Sequence, residues 1–150
     1  MGVEIWTDGS CYHKDRAGGW AFVVVEGDKI IDEDLGAYPD TTSAVMEMMA
    51  VIKAIRYANN NYKGIEVHIV TDYATVVNCF KERWYLRWIE TEWYEVKNPQ
   101  VWQEMLDEIF QRINKVRFKK VKGHTGVEYN ERADYLAGEA RKYCLEKFVK

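Results

Sequence analysis

Apolar and polar residues alternate with a period of two through the first third of the chain, and the period then changes. Val3 to Thr7 alternates and stops at Asp8-Gly9-Ser10, a turn signal, which predicts a first strand. Trp20 to Glu26 is an unbroken apolar run rich in Val, suited to a strand covered on both faces. Lys29 to Tyr38 is a third strand, joined to the second by the hairpin dipeptide Gly27-Asp28. Thr41-Thr42-Ser43 then offers an N-cap for a helix over Ala44 to Ala58. Ile65 to Thr71 alternates again and ends at Asp72, and a helix follows from Ala74, continuing into Arg83 to Trp93. Gln100 to Ile113 reads as amphipathic helix, Val116 to Val121 as a strand and Val127 to Phe148 as a closing helix. This order predicts an α/β fold: one five-stranded mixed sheet, part antiparallel and part parallel, with helices packed on its faces.

Composition narrows the class. The chain has 150 residues, 47% apolar and 30% charged, with six Trp, which describes one ordinary domain over 1–150 and argues against disorder. It contains no apolar run of spanning length, and its start lacks a basic lead, so neither a membrane helix nor a signal peptide is expected. Cys11, Cys79 and Cys144 are odd in number and widely spaced, which fits reduced thiols in the cytoplasm better than a disulfide framework or a zinc site. The net charge of -3 does not steer the whole chain to nucleic acid. One stretch, Arg112 to Lys122, holds basic residues and no acid. It reads as a solvated face and guarded edge strand more readily than as a phosphate-tracking stripe.

The informative residues are acids. Asp8 and Asp72 close two predicted strands in the same dipeptide, Thr7-Asp8 and Thr71-Asp72. If those strands are parallel neighbours, both carboxylates project at the strand C-termini, where open α/β sheets bind ligands. Either alone is equally an Asp that starts a turn or caps a helix. Glu47 is more pointed. On a helical wheel, Arg56, Asn60 and Lys53 lie roughly 180–240° from it, whereas Val51, Ala54 and Ala58 flank it within about 40°. A Glu on that inward face needs either a Lys or Arg partner or a bound cation. Asp134, early in the last predicted helix, gains meaning only beside the other three. Several carboxylates in one crevice repel one another, and all-oxygen ligands without clustered His or Cys favour Mg²⁺ or Mn²⁺ over zinc. Two such ions are the usual device for in-line phosphodiester displacement.

Four blocks carry a family resemblance: Thr7-Asp8-Gly9-Ser10-Cys11, Met46-Glu47-Met48-Met49-Ala50, Thr71-Asp72, and Val121 to Gly126 followed by Asn130-Glu131-Arg132-Ala133-Asp134. Together they resemble type 1 ribonuclease H along nearly the whole chain. The resemblance implies a five-stranded sheet with its first three strands antiparallel. It also implies Mg²⁺-dependent cleavage (Mn²⁺ a possible substitute) of the RNA strand of RNA–DNA hybrids, leaving 3′-hydroxyl and 5′-phosphate ends. Under it Asp8 would bridge two ions, with Glu47, Asp72 and Asp134 completing their shells, and His124 would assist proton transfer or product release. The enzyme would need no obligate protein partner and act as a monomer. His13 and His68 match nothing in the family and are read as structural.

Cys11, Thr42 and Ser43 fall at positions that touch the hybrid in the family, and Trp84 and Trp88 on its protruding handle. The sequence departs from the family at Ser43-Ala44, where a pair of Asn is usual, at Ala74 in place of Gln, and in the loop His13 to Gly19. Two other readings remain at this point: a nuclease of the same fold for another nucleic acid, and a non-catalytic hybrid-binding module. The handle carries Glu90, Glu92 and Glu95 where basic residues are usual. Hybrid binding should therefore be weaker than in an enzyme with a basic handle and rest on fewer phosphate contacts. A phosphate-contact count equal to that of a basic-handle enzyme, read from the slope of log affinity against log salt, would contradict this.

Overall fold

The computed structural model describes residues 2–112, 116–121 and 128–149. Its centre is β2 (Gly18–Glu26), whose residues are buried on both faces up to Glu26. Phe22 and Val24 enter one core with Ile5, Ile52, Ile55 and Ile69, while Ala21, Val23 and Val25 pack on Ala133, Leu136 and Ala137 on the other side. The continuous apolar run thus has the cause expected for it: a strand with no wet face.

β2 pairs antiparallel with β1 (Val3–Cys11) and with β3 (Lys29–Tyr38), and β4 (Val67–Thr71) and β5 (Val116–Lys120) extend the sheet in parallel from β1. The order is β3-β2-β1-β4-β5. Gly27 and Asp28 both have positive φ, 56° and 67°, the geometry that a two-residue hairpin turn requires. α1 (Ser43–Asn61) covers one face of the sheet with α4 (Pro99–Phe110), and α5 (Glu128–Cys144) covers the other. Thr42 caps α1, its hydroxyl accepting from Val45 N at 3.2 Å. Among the described residues, no helix is long and apolar enough to cross a membrane.

Three expectations are corrected. β1 does not stop at Asp8 but continues through Gly9 and Ser10 to Cys11, because β2 still pairs with it there. The helix after Asp72 is two helices, α2 (Ala74–Lys81) and α3 (Trp84–Glu90), broken by Arg83 at φ 57°. It also ends before Trp93, since Glu92, Trp93, Glu95 and Asn98 all adopt positive φ. The last helix keeps α geometry only to Cys144 and closes on a π-helical turn, Leu145–Val149.

The basic stretch is largely absorbed by the fold. Arg112 donates to the carbonyls of Tyr62 (2.9 Å) and Ile65 (2.6 Å) and to Asn59 Oδ1 (3.2 Å), tying the end of α1 to the end of α4. Arg117 pairs with Glu66 and Lys119 with Glu4 on the surface. Lys115 and Lys122 lie outside the described residues. Replacing Arg112 with Met should destabilise the protein by about 2 kcal/mol, because the carbonyls lose a charged donor, whereas Lys119→Gln should stay within about 0.5 kcal/mol. Urea unfolding midpoints of the two variants check this, and equal effects would return Arg112 to the solvated face.

Candidate metal centre

The parallel register sets the first two acids. Val3 to Trp6 pair with Val67 to Val70 in step, so continuing the same register places Asp8 level with Asp72. β4 ends at Thr71 while β1 runs on, and β1 is left without a neighbour on that side. The Gly9 N–H is there donated to two carboxylates, Asp8 Oδ1 at 2.9 Å and Glu47 Oε1 in a short contact. A backbone donor that lost its ladder partner has become an anchor for the acids.

Gly9 also explains how Glu47 reaches the strand. A Cβ at Gly9 would overlap the backbone of Met46 and Glu47, so only glycine lets α1 lie so close to β1. A carboxylate oxygen from each of Asp8, Glu47 and Asp72 then lies within 4.8 Å of the others. Asp8 is buried, Glu47 half-buried and Asp72 exposed, so the cluster opens to solvent on one side.

Asp134 comes from the other face of the sheet. It sits exposed in the second turn of α5, near enough to Asp8 to help raise that carboxyl. It stands outside the tight three-oxygen set. Its helix is held by Arg132, which donates through Nε (2.9 Å) and Nη2 (2.6 Å) to the two carboxylate oxygens of Glu33 on β3. Nothing in the sequence flags that pair, since Glu33 is an ordinary strand-edge acid 99 residues away.

Among the described residues, no Lys or Arg forms an ion pair with Asp8, Glu47, Asp72 or Asp134. The buried ion pair that could have explained Glu47 is therefore absent among those residues. Burial raises the Asp8 carboxyl to about 7, Glu47 hydrogen bonding opposes the rise, and Asp72 and Asp134 add to it. Burial also raises Glu47, with contacts and charge from Asp72 and Asp8 pushing the same way. Such a site is short of positive charge. Its all-carboxylate donor set suits a hard divalent cation, and Asp8, Glu47 and Asp72 are the residues that could hold one.

The other candidates are scattered around this centre. Cys11, at the end of β1, contacts the Thr41 carbonyl through its thiol. Thr42 spends its hydroxyl on the α1 cap, and Ser43 is exposed beside it. Trp84 is exposed on α3 with its ring 6.3 Å from Trp88, so the two share a face as their spacing implied. Trp88 is half-buried, 5.0 Å from the ring of Trp102, and packs on the main core. It also lines a cavity of about 510 Å³ with Ala44, Met48, Tyr73, Arg87 and Lys97. His124 lies outside the described residues.

Comparison with known proteins concerns the whole chain and its fold. Residues 1–142 match the family model described as RNase H. The sequence is 38% identical over 150 residues to a ribonuclease H of Acetivibrio thermocellus, covering 97% of this chain and 98% of that protein. It is 36% identical over 145 residues to a ribonuclease H of Syntrophomonas wolfei, covering 93% and 96%. The fold is similar to that of LC9-RNase H1, a type 1 RNase H with the type 2 active-site motif, at a TM-score of 0.80 and 25% identity over 95% of this chain and 73% of the other. It is also similar to LC11-RNase H1, solved with an RNA/DNA hybrid, at a TM-score of 0.74 and 21% identity over 95% and 99%.

The crowded acids have a pH signature. A carboxyl whose folded pKa is raised stabilises the fold fully below its unfolded value, about 4, and loses that contribution as pH rises through the folded value. In chelator, the melting temperature should therefore drop as pH goes from about 4 past 7, and Asp8→Asn should flatten the drop and be at least as stable as wild type at the upper end. Mg²⁺ should reverse it, stabilising wild type more as pH rises. Thermal melts across pH check both, and a clearly less stable Asp8→Asn in chelator would mean that Asp8 is structurally paired.

Proposed function

The chain belongs to the RNase H family, and we propose that it is a divalent-metal-dependent endoribonuclease that hydrolyses the RNA strand of RNA–DNA hybrids, leaving 3′-hydroxyl and 5′-phosphate ends. The observation that carries the reading is the convergence of Asp8, Glu47 and Asp72 within 4.8 Å, with Asp134 near Asp8 and no ion pair to any of them among the described residues. A structural cluster of that charge would be expected to carry its own Lys or Arg.

Asp8, Glu47, Asp72 and Asp134 would hold Mg²⁺, or Mn²⁺ in its place. Two bound ions would supply a water activated for attack and charge neutralisation at the leaving oxygen. The protein's contribution is positional. The Gly9 N–H holds the Asp8 and Glu47 carboxylates together on one backbone donor. Register fixes Asp72, and the Arg132–Glu33 pair fixes the helix that carries Asp134. Donor groups held this way need little rearrangement as charge develops, which is where most of the rate gain in phosphodiester cleavage arises. His124 would assist proton transfer or product release. Cys11, Thr42 and Ser43 would face the hybrid beside the centre, with Trp84 and Trp88 on the handle side. The free thiols fit a reducing cytoplasm, where the chain would act as a monomer, a reading that rests independently on the family resemblance.

Incubating labelled RNA–DNA hybrid, double-stranded RNA and double-stranded DNA with Mg²⁺, Mn²⁺ or chelator tests the reading. The expected result is cleavage of the hybrid's RNA strand alone, dependent on metal. Glu47→Gln should lower the rate on the order of 100-fold or more, the scale of losing one preorganised electrostatic contact. Equal cutting of double-stranded RNA would move the substrate to another nucleic acid, and hybrid binding without cleavage would leave a binding module.

A further inference from the structure

The centre is acidic, and the handle beside it sets Lys81, Arg83, Arg87 and Lys97 against Glu82, Glu90, Glu92 and Glu95, so neither offers net positive charge to the proposed substrate, a polyanion. Further cations stand on another side. α5 runs alongside β1: Asp134 stands near Asp8, and Arg141 lies over the ring of Tyr12 with its guanidinium carbon 4.3 Å from the centroid. Seven residues are nearly two helical turns, so Arg141 shares the Asp134 face, about 10 Å further along the helix. The close approach depends on Gly19, where a Cβ would come within 2.6 Å of Arg141 N and of Ala140 Cβ.

Among the described residues Arg141 has no carboxylate partner, and its buried Nε has no hydrogen-bond acceptor. The Tyr12 ring holds the guanidinium plane without neutralising it. A second cation stands nearby. Arg16 closes the Tyr12–Ala17 turn, its N–H donating to the Tyr12 carbonyl at 2.8 Å, and its exposed side chain pairs with Asp40. Both guanidinium groups act by charge on the thiol of Cys11, against the burial that raises it, which places Cys11 near both.

We propose that Arg141, with Arg16, forms a phosphate-binding subsite beside Cys11 that grips the backbone of the bound nucleic acid next to the metal centre. The inference rests on the nuclease reading above and adds to it the residues that anchor the substrate. An incoming phosphate would meet the Nη atoms of Arg141 with an acceptor that no described residue gives them, and a guanidinium suits that contact geometrically. The pair adds cations at the far end of β1 to those that the handle carries.

The test is hybrid binding in chelator, followed by fluorescence anisotropy from about 50 to 200 mM salt, together with steady-state cleavage in Mg²⁺. Arg141→Met, which keeps an unbranched apolar stem over Tyr12, should weaken binding about tenfold at the lowest salt and reduce the log–log slope by about 1. In cleavage the loss should fall on KM rather than kcat. Arg141→Lys should retain the slope, and Arg16→Gln, an exposed change that cannot unfold the chain, should also lower it by about 1. Unchanged slopes in Arg141→Met and Arg16→Gln would overturn the proposal, as would equal weakening by Met and Lys at position 141, which would make the contact one of packing. Should Arg141→Met fail to fold, Arg16→Gln decides alone. Failure of the wild type to bind or cut any hybrid would instead sink the nuclease reading itself.

Discussion

Mutual repulsion among carboxylates is the constraint around which this molecule is arranged. Three acids share a few ångströms, a fourth stands near one of them, and none forms an ion pair with a Lys or Arg of the described residues. Left to itself such a cluster would spread apart or take up protons. The fold prevents the first through three features. A strand that outlasts its parallel neighbour exposes the Gly9 N–H to two acids, a missing Cβ admits α1, and a bidentate ion pair pins α5 to β3. The first two are backbone features and the third is a side-chain ion pair away from the acids, and each fails if the sheet loses its register.

The same arrangement explains why the two faces of the sheet are unequal. The α1 face carries a large apolar core that reaches from Val3 to Trp102 and Met105, and it provides the rigidity. The α5 face has a small core of alanines, valines and one leucine, and its helix lies close to the strands at Gly19. Closeness on that side brings Asp134 to Asp8 and Arg141 to Tyr12 within one rigid helix. An acid that meets the centre and a base beyond it thus keep a fixed separation, whatever the surrounding loops do.

Much of this was legible in the residues. The unbroken apolar run of β2 foretold a central strand, and the paired Thr-Asp dipeptides fitted parallel neighbours that bring Asp8 and Asp72 level, although β1 runs on past the end of β4. Glu47 stood out because its place on the α1 wheel conflicted with burial rules. What stayed hidden has physical causes. Asp8-Gly9-Ser10 reads as a turn because local preference cannot know that β2 extends past β4. The break at Arg83 needs a positive φ at a residue with no special liking for it, so tertiary packing decides it. Arg132 and Glu33 look like two surface charges until the sheet order brings them together. Gly18-Gly19 reads as the end of the loop His13 to Gly19, yet β2 already begins at Gly18, and Gly19 is where α5 touches it.

The central claim is that these carboxylates wait for divalent cations. Crystals soaked in Mn²⁺ and measured for anomalous scattering test it most directly. The account predicts density among Asp8, Glu47 and Asp72, with carboxylate oxygens at about 2.0–2.2 Å, a distance suited to a small hard divalent ion. Carboxylates that stay metal-free at saturating Mn²⁺, or a Glu47 turned away to a Lys or Arg, would contradict it.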